Sequence, residues 1–292
     1  MELNNLQERL KSMQSRFTPE YLKQLARQAY DDDRAYPENF SNWYPQILDF
    51  GKFKHAKVIS NQVFTFEESE KLKATDQYSK VDWNELEQIL KPTLDKLKPY
   101  ELYNIKNGCF SNKFDFTTCM TLKSNLVQNF WKINYQSALF ETGGDTEIVV
   151  REHLLSNLGT TLTIYNGMPL RTEIRAFYNM DTSALEYMVD YWDYDYCYKN
   201  LHTMTDKVVF NRFHTLEHNC NILKYMNYIK ENINTLKFGD KLTGVWSIDF
   251  MEYNNDLYLI DMARGFRSAY WDIDKLSSAT KNKILADKEV EK

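Results

Sequence analysis

Two long apolar runs, GVWSIDFMEY and DLYLIDMAR, stand on either side of Asn254-Asn255. Both have the β-branched and aromatic content of strands, and the asparagine pair between them reads as a turn. A chain holding such a hairpin must bury it in a sheet. Each run also carries one carboxylate among apolar neighbours, Asp249 and Asp261. The length of the turn decides whether they meet. A two-residue turn at Asn254-Asn255 pairs Asp249 with Ile260 and sends the aspartates to opposite faces. A three-residue loop, Asn254 to Asp256, pairs Tyr253 with Leu257 and sets Asp249 opposite Asp261, about 4.5–5.5 Å apart at Cβ. Opposed carboxylates persist with a cation between them or a shared proton, and hard oxygen ligands suit Mg²⁺. Both registers remain open on the sequence alone.

The rest of the chain supplies partners for such a hairpin. LYNIKNGCFSNKFDF (102–116) has strand chemistry and two lysines, Lys106 and Lys113, around Asn107-Gly108. Asn-Gly is a strong hairpin signal, and a chain doubling back there aims both ammonium groups into one space, where a polyphosphate is a common occupant. The alternative is a surface hairpin with solvated lysines. TEIVVREHL (146–154) is a nearly continuous apolar strand ending in Arg151 and Glu152. LRTEIRAFYNMDTSALEYMVDYW (170–192) reads as two strands joined at Asn179–Thr182, with Glu173 and Arg175 on one face. An arginine among apolar neighbours needs an anion. That anion is either Glu173 or a phosphate or carboxylate gripped by the guanidinium fork.

Residues 54–66 read as a further strand and 81–98 as a helix kinked at Pro92. Helical spacing also marks 2–30 (Leu3, Leu6, Leu10, Met13, then Leu22, Leu25, Ala29), with Thr18 capping and Pro19 starting a second helix. A helix is expected near 120–128, another over 206–236, and a polar one from about 273. In the 206–236 segment Phe210, Phe213, Leu216, Cys220, Leu223, Met226 and Ile229 fall roughly on one face. DYWDYDYCYK (190–199) reads as a half-buried strand, and Gly143-Gly144 as a turn. His214 and His218 stand four apart with Cys220 nearby, reminiscent of zinc ligands but lacking a second cluster. Helices with mostly hairpin-linked strands define an α+β protein.

Hydrophobic content of 43%, with 15% aromatics, is ample for a core. The net charge of −5 has the wrong sign for a chain that coats nucleic acid. No apolar run is long enough to span a membrane. The start, MELNNLQERLKSMQSRF, is polar rather than signal-like. Cys109, Cys119, Cys197 and Cys220 form no close pair and suit a reducing, cytoplasmic setting.

In order along residues 40–265, FSNWYP, AKVI, IKNGCFSNKFD, IVVREHL, RTEIRAF, SIDF and LIDMAR resemble the ATP-grasp superfamily. More narrowly they resemble the cell-division-cycle proteins that act as assembly chaperones for eukaryotic translation initiation factor two. The resemblance implies an ATP-grasp fold, two α+β lobes gripping ATP between antiparallel sheets. Its segments would be an N-terminal helical extension (1–35), an N-terminal lobe (36–147), a C-terminal lobe (148–272) and a helical tail (273–292). It implies ATP and Mg²⁺ as cofactors, with Lys106, Lys113 and Ser111 at the phosphates. Arg151, Glu152, His153 and Leu154 would lie along the nucleotide, where main-chain groups meet the adenine edge, and Glu173 would belong to the same set. Lys113 and Arg175 would be catalytic, Arg175 facing the γ-phosphate or second substrate, and Asp249 and Asp261 would hold the metal. The activity expected is ligase-type: phosphorylation of a carboxylate, then attack by an amine, with kinases among the relatives. The alternative is an ATP-dependent assembly chaperone or protein-binding module with little or no turnover. The acceptor, small molecule or protein, is undefined. One departure stands out. Ala263 occupies the place, two residues after the second acid, where the family usually has a metal-binding Asn, and Glu252 and Asp256 are the acids nearby. Arg264 and Arg267 also differ from the family ending.

Overall fold

In the computed structural model, which describes residues 18–73, 81–143, 145–154 and 161–290, the hairpin lies within the larger of two main sheets. Asn254 and Asn255 have φ of 53° and 63°, left-handed conformations that asparagine tolerates better than most residues. They form the two-residue turn that matches strand twist, and Tyr253 pairs with Asp256. The ladder is regular as far as Phe250 opposite Leu259 and then shifts, leaving Ile260 as an extra residue and setting Asp249 opposite Asp261. The two-residue turn therefore coexists with opposed aspartates, a combination neither sequence-based register contains. A β-bulge re-aims the side chains that follow it, and here it decides which face Asp261 occupies.

The five-stranded sheet runs Ala184–Asp190, Glu173–Asn179, Val245–Tyr253, Asp256–Arg264, Lys54–His55, antiparallel except for the last pair. Its strand Glu173–Asn179 is buried at every position. Ile174, Ala176, Tyr178, Ile248 and Phe250 form one face and pack against Ile222, Tyr225 and Ile229 of the helix Leu216–Asn232. On the opposite face Phe177 and Val245 meet Leu276 and Trp271 from the carboxy-terminal segment.

The four-stranded sheet runs Val58–Val63, Glu147–Glu152, Tyr103–Asn107, Met120–Thr121, all antiparallel. Ile105, Ile148 and Val150 face the helices Trp83–Leu94 and Leu126–Leu139, forming a second core with Leu90, Phe130 and Ile133. Side chains alternate along a strand, so Val149 turns the other way and joins the core of the larger sheet. Lys106, its cross-strand partner, shares that side. The lobe boundary expected at 147/148 falls at the start of this strand.

Several local expectations need correction. Asn107-Gly108 does not make a tight hairpin; Tyr103 and Asn104 pair with Thr121 and Met120 across a long loop. Instead the Asn107 side chain accepts from the Cys109 and Phe110 amides. Gly108 is required by close approach, since a Cβ there would stand 2.3 Å from Asn39 Oδ1 and 2.7 Å from Glu147 Oε1. The helix expected near 120–128 starts later, at Leu126, after the short strand Met120–Thr121. Residues 206–236 are not one helix. Met204–Phe213 ends before Thr215, whose hydroxyl accepts from the His218 amide and caps Leu216–Asn232. Cys220 and Leu223 of the expected apolar face are exposed. Residues 190–199 hold a short helix, Tyr194–Cys197, rather than a strand. Thr18 and Pro19 start a helix as expected, with Thr18 Oγ1 accepting from Tyr21 N. Leu3, Leu6, Leu10, Met13 and Gly144 lie outside the described residues. Among those described, no helix is long and apolar enough to cross a membrane, and all four cysteines are free thiols.

Candidate functional site

The two sheets meet along a cleft lined by Asn104, Ser111, Lys113, the run Arg151–Leu154, Arg171, Glu173, Asp249 and Asp261, with Met168, Met251 and Ile260 as apolar walls. The bulge shapes its floor. Ile260, the extra residue, has its carbonyl bonded to Arg151 Nη1 from the facing sheet. Asp261 then accepts from Lys106 Nζ at 2.9 and 3.1 Å. Burial works to raise the pKa of Asp261, but Lys106, Arg151 and Lys113 outweigh it and leave the carboxyl below its ordinary value. The two lysines thus act on one side of the cleft without a hairpin: Lys106, from a strand, bonds Asp261, while Lys113, at the start of the 3₁₀ turn Lys113–Thr118, acts on that carboxylate only through its charge.

Asp249 is engaged differently. Arg175 holds it in a two-pronged ion pair, Nε to Oδ1 and Nη2 to Oδ2, both at 2.7 Å. Arg175 Nη1 also donates to the Ala269 carbonyl. Burial opposes the guanidinium charge, and Asp249 more than restores it. The anion for Arg175 is therefore Asp249 of the neighbouring strand, not Glu173 two residues away. Glu173 is buried, and desolvation, reinforced by Asp249 against Lys113, pushes its carboxyl up to about 8. Lys113 donates to the Tyr191 hydroxyl and lies 4.6 Å from the centre of its ring, and Arg175 lies 4.8 Å from the same ring. Burial opposes the Lys113 charge, but Tyr191, Glu173 and Asp249 hold its pKa above the ordinary value.

At the mouth, Glu152 Oε1 accepts from the Lys57 amide and the Leu154 carbonyl accepts from Arg171 Nη2. Burial, with Arg171 nearby, lowers His153 to about 4, so the ring is neutral at pH 7. Of the residues expected to act together, Ser111, Lys113, Arg151, Glu152, His153, Leu154, Glu173, Asp249 and Asp261 line one cleft. Lys106 and Arg175 lie behind it, 2% and 8% exposed, each spent on one of the two aspartates. Glu252 and Asp256 do not compensate for Ala263: Glu252 caps the Asn255 amide and Asp256 pairs with Lys54, both away from the lining. Arg264 is bound by Glu38 and stacked near Tyr36. Sequence reasoning missed Tyr191 and Arg171. Tyr191 sat unnoticed in a run of tyrosines, and Arg171 was overshadowed by the Glu-x-Arg pattern beside it.

Lys113, Arg151 and Arg171 suit a phosphate-bearing ligand, and Asp249 and Asp261 in the same cleft suit a hard divalent cation. The residues fit a metal–nucleotide complex in their chemistry. Both carboxylates are already paired, so a metal ion would have to draw them from Arg175 and Lys106. The cleft is also narrow, with a void of about 110 Å³ against roughly 300–1,000 Å³ for typical small-molecule sites.

No family model and no curated protein matches the sequence. Among solved structures, the chain is similar to C-terminally truncated Cdc123 from Schizosaccharomyces pombe, with 12% identity, a TM-score of 0.49, and coverage of 83% of this chain and 91% of that one. Cdc123 from Schizosaccharomyces pombe is similar at 12% identity and a TM-score of 0.47, over 83% of this chain and 92% of the other.

Proposed function

We propose that the protein binds ATP as its Mg²⁺ complex in the cleft between the sheets and works as an ATP-dependent binding or assembly protein with little or no turnover. The observation that carries this reading is the convergence of Lys113, Arg151, Arg171, Asp249 and Asp261 on one cleft lined by the strand end Glu152–Leu154. Lys113 and Arg151 would neutralise phosphate oxygens, main-chain groups of Glu152–Leu154 would meet the base, and Asp249 and Asp261 would hold the metal. Bound there, Mg²⁺ withdraws charge from the terminal phosphates. The reading adopts the two-lobed ATP-grasp arrangement that the sequence motifs imply.

Low turnover follows from how the remaining groups are committed. Asp249 and Asp261 are each held by a cation, Arg175 and Lys106, so the metal must compete with two ion pairs before it can act on the terminal phosphates. Ala263 offers no amide oxygen to complete the metal shell. A ligase-type activity is the second reading, and Glu173 favours it: a lining carboxyl raised to about 8 is the kind of group that serves in proton transfer near neutral pH.

Calorimetric titration of ATP, with and without Mg²⁺, tests the reading on wild type, Lys113→Ala and Asp261→Asn. Micromolar binding that needs Mg²⁺ and weakens at least tenfold in both variants, with ADP release no faster than buffer over hours, is the expected result. Absence of binding in the wild type refutes the nucleotide site. Steady ADP production on adding a carboxylate and an amine would replace the binding role with the ligase.

A further inference from the structure

Behind the cleft, three potential ligands meet where two helices abut the end of a strand. Asp190 ends the strand Ala184–Asp190, His214 follows the helix Met204–Phe213, and His218 lies in the first turn of Leu216–Asn232. One nitrogen of each imidazole and one oxygen of Asp190 lie within 4.8 Å of one another.

The hydrogen bonding around them is incomplete. His218 is 4% exposed; its Nε2 is 2.8 Å from Asp190 Oδ2, while its Nδ1 is buried without a partner. His214 Nε2 is likewise buried and unpartnered, although the ring is hydrogen-bonded to the Trp192 backbone. A buried polar atom left unsatisfied loses its hydration without regaining a hydrogen bond. Two imidazoles thus each keep one ring nitrogen buried without a partner, next to a carboxylate already bonded to His218 Nε2. A metal-ligating histidine characteristically donates its second ring N–H to a carbonyl or carboxylate, and the Trp192 backbone gives His214 that support. Asp190 is fixed too, because its Oδ1 accepts from the Trp192 amide at 2.9 Å.

We propose that Asp190, His214 and His218 bind a zinc-class divalent transition-metal ion. Two imidazoles and a carboxylate are a borderline donor set, suited to Zn²⁺ or Co²⁺ rather than to Ca²⁺ or Mg²⁺, which take oxygen shells. Zinc–nitrogen bonds of about 2.0–2.1 Å require the three ligand atoms to draw closer than they stand, which side-chain rotation supplies. Aromatic rings flank the site: the Phe210 ring is tilted against His214 at 4.5 Å, Phe213 lies 4.3 Å from His218, and Tyr194 is 5.3 Å from His214, while the partly exposed Asp190 leaves room for water as the fourth ligand. Cys220 is exposed and takes no part in the cluster. The ion would pin both helices to the strand end that leads into Tyr191, and so lies apart from the nucleotide reading, which stands or falls without it.

The test is titration of the chelator-treated, full-length chain with Co²⁺, followed by visible absorption and then by displacement with Zn²⁺. Wild type should bind one Co²⁺ per chain with the intense bands of a four-coordinate site, and Zn²⁺ should abolish them and raise the melting temperature. His214→Gln and Asp190→Asn should each weaken binding at least tenfold, with unchanged circular dichroism, and Cys220→Ser should leave it unaltered. Wild type without such bands overturns the proposal, whatever the variants do. So does binding that survives His214→Gln unchanged, or that disappears with Cys220→Ser, which would mark an adventitious thiol site.

Discussion

Replacing Asp249 with Asn removes one charge from the Arg175–Asp249 pair while keeping its volume. Arg175 is 8% exposed and Asp249 3%, and both hydrogen bonds between them measure 2.7 Å. Water cannot take over for the lost carboxylate at that depth, so the guanidinium is left buried and uncompensated. Breaking one side of such a pair costs about 3–5 kcal/mol, whereas replacing both partners with apolar residues of similar volume is often close to neutral. Asp249→Asn should therefore lower the urea midpoint by the equivalent of about 3–5 kcal/mol. The double variant Arg175→Met with Asp249→Leu should recover most of that loss. The surface pair Lys54–Asp256, with side chains 55% and 44% exposed, is the internal control, where solvent screening should leave the urea midpoint of Asp256→Asn close to that of wild type. A loss under 1 kcal/mol in Asp249→Asn, or a double variant as unstable as the summed singles, would refute the reasoning.

Two further outcomes follow from the same region. Glu173 holds its proton up to about 8 in the folded state against an ordinary value of 4.5. Between those values the folded chain binds a proton that the unfolded chain has released, so stability falls as pH rises through that window. The loss is at most about 5 kcal/mol at roughly 1.4 kcal/mol per pH unit. Glu173→Gln should flatten that slope, gaining on wild type in urea unfolding at pH 8 relative to pH 5; parallel behaviour at both pH values would exclude the linkage. Gly108→Ala should destabilise by about 1–3 kcal/mol through overpacking, because Asn39 and Glu147, which its methyl would strike, are fully buried; an unchanged urea midpoint would contradict the crowding.

How much of this was legible in the sequence depended on whether the deciding contacts were local. The hairpin was readable because Asn254-Asn255 and the flanking strands carry their own signals. The bulge at Ile260 was not, since the group that takes its free carbonyl, Arg151, arrives from a strand more than a hundred residues earlier. Glu173 and Arg175 were visible as charges on one strand face, but the partner of Arg175 depended on which strand lay beside it. Asn107-Gly108 misled for a related reason: the glycine answers to Asn39 and Glu147, neither of them near in sequence. The break at Thr215 was local and could have been read, because a threonine ahead of Leu-Glu-His is an ordinary helix cap. The cleft residues were found as a set through the order of the motifs, while Tyr191 depended on the strand pairing that bonds its amide to the Glu173 carbonyl.

The strand Glu147–Glu152 gives Val149 to one core and Ile148 and Val150 to the other. Such a strand acts as a common keel. Neither sheet can come apart without stripping a wall from its neighbour, so the two share one melting transition rather than two. It also sets how the cleft can widen. Sliding or prying one sheet off the other would tear Val149 out of its packing, whereas a twist about the strand's own axis keeps both sets of contacts. Of these displacements, only the twist leaves Val149 seated in the larger sheet's core and Ile148 and Val150 in the other.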